Sequence, residues 1–288
     1  ILTTPNKMKR ILVPYDFSEV ANHALDFACQ IADQADSQIT ILNVIEHPTS
    51  DSFKTMGIQN MDPMQQLYIK KMYETIDAKL AEVVTSAKYA DDKIQTKIQL
   101  GNPYNTIIDQ ITEEKVSLLV VGTDGLEGIN DFFVSSNAEK VVRNATCPVI
   151  TVRGKAELEP IEKIVFASDF QNTNASFVDQ VKEVQKTFGA SLSIVKVNTP
   201  ASFTSTRHDM KQMEEFVQKH NIDDYTISIY NYKNEEDGIL FFAEDSGADM
   251  IAMGTHQRKG VGRFLAGSIA ADVVNSSKVP VWTSHVSS

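Results

Sequence analysis

Short apolar runs alternate with longer amphipathic stretches from one end of the chain to the other. The run RILVPY (10–15) gives way to a stretch in which Val20, Ala24, Phe27, Ala28, Ile31 and Ala35 recur near helical spacing, with Ser18 in the N-cap position. The same logic predicts strands at 38–45, 94–100, 117–122 and 147–153, and helices after Pro63, over 103–115 and over 136–145. Further along, strands are predicted near 163–169, 190–197, 226–232, 248–254 and 279–284. Continuous apolar runs such as SLLVVG suit strands covered on both faces. Strands alternating with helices imply a parallel, doubly wound sheet.

The pattern occurs twice. RILVPYDFS (10–18) matches KIVFASDFQ (163–171) at an offset of 153, which places Asp16 on Asp169, and ILNV (41–44) falls on IVKV (194–197). LLVVGTDG (118–125) matches MIAMGTHQ (250–257), and CPVITV matches VPVWTS, at an offset of 132. The second copy is therefore 21 residues shorter, and the reading puts the loss between its second strand and its next helix. The polar connector GKAELEP (154–160) separates the copies, giving expected domains at 8–153 and 161–288. Each is expected to hold a five-stranded parallel sheet.

Composition narrows the function. A net charge of −11 argues against nucleic-acid or anionic-membrane binding, which need clustered Lys and Arg. No apolar run approaches the roughly 18 residues of a membrane span, and ILTTPNKMKR lacks the apolar core of a secretory signal. Cys29 and Cys147 make neither a disulfide framework nor a metal spacing, and Cys147 reads as a packed thiol. A cytoplasmic protein is expected, with residues 1–7 a leader ahead of Met8.

Open α/β sheets bind ligands beyond the carboxyl ends of their strands, where the winding reverses. Asp16 and Asp169 each end a first strand, Gly122 and Gly254 each end a fourth, and Ser136 and Ser268 stand at helix starts, which favour anions. Both copies resemble the universal stress protein family. Its nucleotide-binding members carry G-x2-G-x9-G-[ST] after the fourth strand and an Asp in a V-P-x-D-x-S context, which VPYDFS (13–18) fits. The first copy reads Gly122-x2-Gly125-x9-Ser135-Ser136, with Ser at the third glycine. The second reads Gly254-x2-Gln257-x9-Gly267-Ser268, with Gln at the second. The resemblance implies an adenine nucleotide alpha hydrolase-like fold and two domains paired through their C-terminal edge strands as a pseudo-dimer, with or without further homodimerisation. It also implies ATP or another adenine nucleotide as ligand, with Mg2+ as an accompanying option. Adenine and ribose would lie at Asp169 and Val197, or at Asp16 and Val44 in the first copy.

Charge separates the copies. From 122 to 136 the first loop holds Asp124, Glu127 and Asp131 and no cation. From 254 to 268 the second holds Arg258, Lys259 and Arg263 and no acid. A close unit-charge pair is worth up to about 4 kcal/mol at an effective dielectric near 20 before screening, so a polyphosphate is expected at Gly254, Arg258, Arg263, Gly267 and Ser268, with His256 inside the loop. Other readings stay open. A basic loop can be merely solvated, and the aspartates can simply cap turns. The chain can be an interaction module without a nucleotide, or a small-ligand sensor using the acidic first loop. The stretch 53–72 is expected to carry an assembly or partner surface. The sequence holds no G-x4-G-K-[ST], G-x-S-x-G or HExxH motif. A regulator is expected, with at most slow ATP hydrolysis and no assignable catalytic residue.

Overall fold

The computed structural model describes residues 8–46, 62–87, 89, 91–123, 140–154, 160–170, 174–256 and 266–286. Within them the chain runs β1 (Arg10–Pro14), α1 (Glu19–Ala35), β2 (Gln38–Ile45), α2 (Pro63–Ser86), β3 (Ile94–Leu100), α3 (Pro103–Glu113), β4 (Leu118–Thr123) and β5 (Val149–Arg153). A helical stretch at 140–144 precedes β5. The second half runs β6 (Lys163–Ala167), α4 (Ala175–Phe188), β7 (Ser191–Asn198), α5 (Thr206–His220), β8 (Tyr225–Asn231), α6 (Glu235–Ser246), β9 (Met250–His256), α7 (Ala266–Ser276) and β10 (Val281–Val286).

Polar residues at the boundaries start and stop these helices. Ser18 accepts a hydrogen bond from the Ala21 N–H, Asn102 from Asn105 with Pro103 just inside, and Asn174 from Phe177. Gly189 and Gly247 end α4 and α6 in the left-handed region, which costs glycine no Cβ clash.

The strands form a ten-stranded sheet in the order β3-β2-β1-β4-β5-β10-β9-β6-β7-β8. Within each half every pairing is parallel. The halves join where β5 meets β10 antiparallel, with Trp282 opposite Ile150 and Thr151 opposite Val281. These are the two edge strands expected to meet, and their pairing removes two open sheet edges. One apolar layer covers the face under α1, α2, α4 and α5, and the other covers the face under α3, 140–144, α6 and α7. Trp282, fully buried, sits in the first layer against Phe177, with ring centroids 5.7 Å apart.

The element order follows the prediction, with boundaries shifted by one or two residues; β5 starts at Val149 rather than 147, and β6 stops at Ala167 rather than 169. The shortening of the second copy falls in part on the helix, since α2 has 24 residues and its counterpart α5 has 15. Leu80 is the one buried residue of α2 among those described.

Candidate functional site

Each half reverses its winding between its first and fourth strands, β1 beside β4 and β6 beside β9. In the first half the carboxyl ends of β1, β2 and β4 carry Asp16, Val44 and Gly122 to a common corner. There they line one cavity of about 300 Å³ together with Tyr15, Ser18, Glu46, Pro103 and Ile107. Leu42, Val121 and Val141 complete an aliphatic wall. Gly125, Ser135 and Ser136 lie outside the described residues.

The turn that presents Asp16 is built from three contacts. Asn43 donates from its side-chain amide to the Tyr15 carbonyl at 2.7 Å, and the Tyr15 N–H donates to the Leu42 carbonyl at 2.8 Å. Asp16 then accepts from the Ser18 N–H at 3.0 Å. The Tyr15 hydroxyl donates to Asn22, and its pKa is raised by burial first and by Asp16 and Asp26 after that.

Between Asp16 and Ser18 stands a residue that sequence reasoning passed over. Phe17 has φ 68, and Phe170, the residue after Asp169, has φ 58. A non-glycine residue there costs about 1–3 kcal/mol and persists only where its surroundings hold it. Phe17 packs edge-on to Tyr15 at 5.3 Å, and Phe170 packs on Phe166 at 5.7 Å and Phe216 at 5.1 Å. The repeated Asp-Phe pair was the signal available: an aromatic after the acid in both copies.

Gly122 owes its identity to packing. A Cβ at this position would stand 2.3 Å from the Val20 carbonyl oxygen of α1, so only glycine lets β4 pass beneath the first turn of that helix. It lines the cavity, and the Val20 backbone is what excludes a side chain there.

In the second half Asp169 is exposed just past β6, Val197 is half-buried near the end of β7, and Gly254 lies in β9, so three adjacent strands bring them to one edge. His256 is the last residue of β9, and Gly267 and Ser268 fall in the first turn of α7, which begins at Ala266. Arg258, Lys259 and Arg263 lie outside the described residues. The position of Asn43 is taken by Lys196. Its ammonium bonds Asp209 at 2.5 Å and Thr204 at 3.0 Å, and Thr204 also donates to Asp209 at 2.6 Å. The Lys196 and Asp209 side chains are 8% and 0% exposed. Burial by itself would raise the Asp209 pKa, but hydrogen bonds from Lys196 and Thr204 and the lysine charge outweigh it and hold the carboxyl below its ordinary value.

Cys147 is a packed thiol as expected: burial pushes its pKa up to about 12, away from thiolate chemistry. Among the described residues no group of three His, Cys, Asp or Glu is placed to hold a metal, and no helix is long and apolar enough to cross a membrane.

Comparison with known proteins agrees with this architecture. The model of the universal stress protein family matches residues 7–153 and again 160–285. A Staphylococcus aureus (strain USA300) protein named as a universal stress protein is 32% identical over 146 residues, covering 50% of this chain and 84% of the relative. A solved universal stress protein from Archaeoglobus fulgidus superposes with a TM-score of 0.73 at 23% identity, covering 97% of both chains. One from Pseudomonas aeruginosa UCBPP-PA14, titled as a universal stress protein, gives 0.66 at 18% identity over 96% of this chain and 93% of its own. Duplicated Asp-bearing strand ends, paired five-stranded halves and two full family matches together make this chain a tandem member of the universal stress protein family.

Proposed function

We propose that the chain is a cytoplasmic stress-response regulator that binds an adenine nucleotide, ATP foremost, in its second copy, with domains spanning 8–153 and 161–288. The observation that carries this reading is the charge of the connection between β9 and α7. It holds Arg258, Lys259 and Arg263 and no acid, in a chain whose net charge is −11. The connection leaves a strand at its carboxyl end and enters a helix through Gly267 and Ser268. Backbone N–H groups of a first helical turn, the positive end of the helix dipole and three cations all favour a polyphosphate. Adenosine would lie toward Asp169 and Val197. Mg2+, if it accompanies the nucleotide, would be held mainly by phosphate oxygens, with Asp169 the described carboxylate at that edge. No residue is assigned a catalytic role.

A second reading, an interaction module without nucleotide, is favoured by the outer side of α2. Met64, Leu67 and Tyr68 are 73%, 49% and 58% exposed there. Calorimetric titration of the full chain with ATP, with mass spectrometry of the protein as purified, separates the two. Saturable one-to-one binding supports the first, and no heat up to millimolar ATP with no co-purified nucleotide supports the second.

A further inference from the structure

We propose that β8 is a self-association edge, along which two copies of this chain join antiparallel so that their sheets become one. β8 ends the ten-stranded sheet, and among the described residues no strand lies on its outer side. The Asp224 carbonyl accepts from the Leu192 N–H at 2.9 Å, and the Tyr232 N–H donates to the Asn198 carbonyl at 3.1 Å, so both point toward β7. Backbone groups alternate sides along a strand, so the N–H and C=O of Tyr225, Ile227, Ile229 and Asn231 point away from β7. Such an edge is a template for another strand, and edges are commonly blunted with lysine, proline or a bulge. The seven residues of β8, YTISIYN, hold no charge and no proline.

One antiparallel register pairs all four outward residues, Tyr225 with Asn231 and Ile227 with Ile229, about a twofold axis at Ser228. It sets Ile227 beside Ile229 of the second copy on the face where both already pack against the apolar layer, and Thr226 beside Tyr230 on the other face, a β-branched and aromatic pair. Charge selects the antiparallel sense. Asp223 and Asp224 precede β8 and Lys233 follows it, all three exposed. Antiparallel copies bring the acidic entry of each strand to the lysine of the other, whereas parallel copies would set aspartate against aspartate. Of the acids that open α6, Glu235 is engaged by the hydroxyls of Thr199 and Ser202, and Asp237 by Lys233 at 3.0 Å. The opposite edge of the sheet lacks this fit: the same pairing about the midpoint of β3 would set Lys97 against Lys97, where β8 has Ser228. An interface of one short strand pair is small, so the dimer is weak and reversible. It does not depend on nucleotide binding in either half.

Sedimentation equilibrium of the full chain is expected to show a reversible dimer with a micromolar dissociation constant. Ile229→Pro removes a donor that points away from β7 and keeps the ladder within the chain, so it is expected to weaken the dimer at least tenfold with the circular dichroism spectrum unchanged. Should that variant fail to fold, Ser228→Cys carries the test. On the twofold axis its Cα lies about 4.5 Å from that of the second copy, so mild oxidation is expected to give a disulfide-linked dimer. Thr226→Cys, which faces Tyr230, is expected to stay unlinked, and the parent, whose Cys29 and Cys147 are buried, is the blank. A chain that stays monomeric up to millimolar concentration overturns the proposal and leaves the edge to an extended segment of another protein. So does a dimer that folded Ile229→Pro leaves intact, or equal linking of the two cysteine variants. A dimer lost with Met64→Ser, Leu67→Ser and Tyr68→Ser but kept with Ile229→Pro places assembly on α2 and overturns it as well.

Discussion

Lys196 reaches Asp209 at 2.5 Å across the gap between β7 and α5, and both side chains are cut off from solvent. Removing one partner leaves the other charge buried alone, at a cost of about 3–5 kcal/mol. Asp209→Ala is therefore expected to lower the urea midpoint sharply, whereas replacing both residues with apolar ones, Lys196→Met and Asp209→Leu, is expected to recover much of the loss. The Asp209 carboxyl is held below its ordinary value in the folded state. Its contribution is thus present above the unfolded carboxylate pKa of about 3.9 and is lost as pH falls through the folded value. Urea titrations from pH 7 to 3 are expected to show a steeper acid loss in the parent than in Asp209→Asn.

The seam between the copies is the second place where one residue decides much. Trp282 is the chain's single tryptophan, is 0% exposed and lies opposite Ile150. Trp282→Ala is expected to cost about 3–5 kcal/mol. In the parent, tryptophan fluorescence reports the seam and far-ultraviolet circular dichroism reports both halves. Coincident urea transitions are expected; a fluorescence change that precedes the dichroism change would mean the seam opens before the halves unfold.

Gly122→Ala tests the close passage of β4 beneath α1. The new Cβ meets the Val20 backbone, which cannot rotate away, so a loss of about 1–3 kcal/mol is expected. Gly101→Ala is the control: its Cβ meets only the Thr106 hydroxyl, at 2.9 Å, and a side chain can turn. Thermal midpoints of the two variants should rank in that order.

For the nucleotide, Arg258→Glu with Arg263→Glu is expected to abolish ATP binding by calorimetry, while Gln257→Gly changes it modestly because the backbone donors remain. Asp124→Asn with Asp131→Asn is expected to leave ATP affinity as it was. Binding that survives the double charge reversal defeats the second-copy assignment.

The exposed stripe on α2 should be dispensable for folding. Met64→Ser, Leu67→Ser and Tyr68→Ser together are expected to keep the urea midpoint nearly unchanged, since such surface changes are each usually within about 0.5 kcal/mol. Sedimentation of parent and variant at several concentrations checks whether the stripe drives self-association, as expected for an assembly surface over 53–72, of which 53–61 lie outside the described residues.

Much of this molecule is legible in one dimension. Burial on both faces of a strand writes itself as an unbroken apolar run, so β4 and β9 announce themselves in SLLVVG and MIAMG. A capped helix start is a local event, so Ser18 and Asn102 mark α1 and α3 without knowledge of anything distant. The duplication, with Asp16 falling on Asp169, placed two candidate ligand edges before any coordinate did. Contacts that close over many residues were decided only by the tertiary structure. Nothing local to Gly122 tells of Val20, and nothing local to Lys196 tells that an aspartate one helix later will neutralise it in the interior. The positive φ of Phe17 and Phe170 is legible only through the aromatic partners that hold it. The first-copy cavity belongs to the same class: it is enclosed by residues of β1, β2, α3 and β4 that lie far apart in sequence, and a volume between elements has no signature in the periodicity of any one of them.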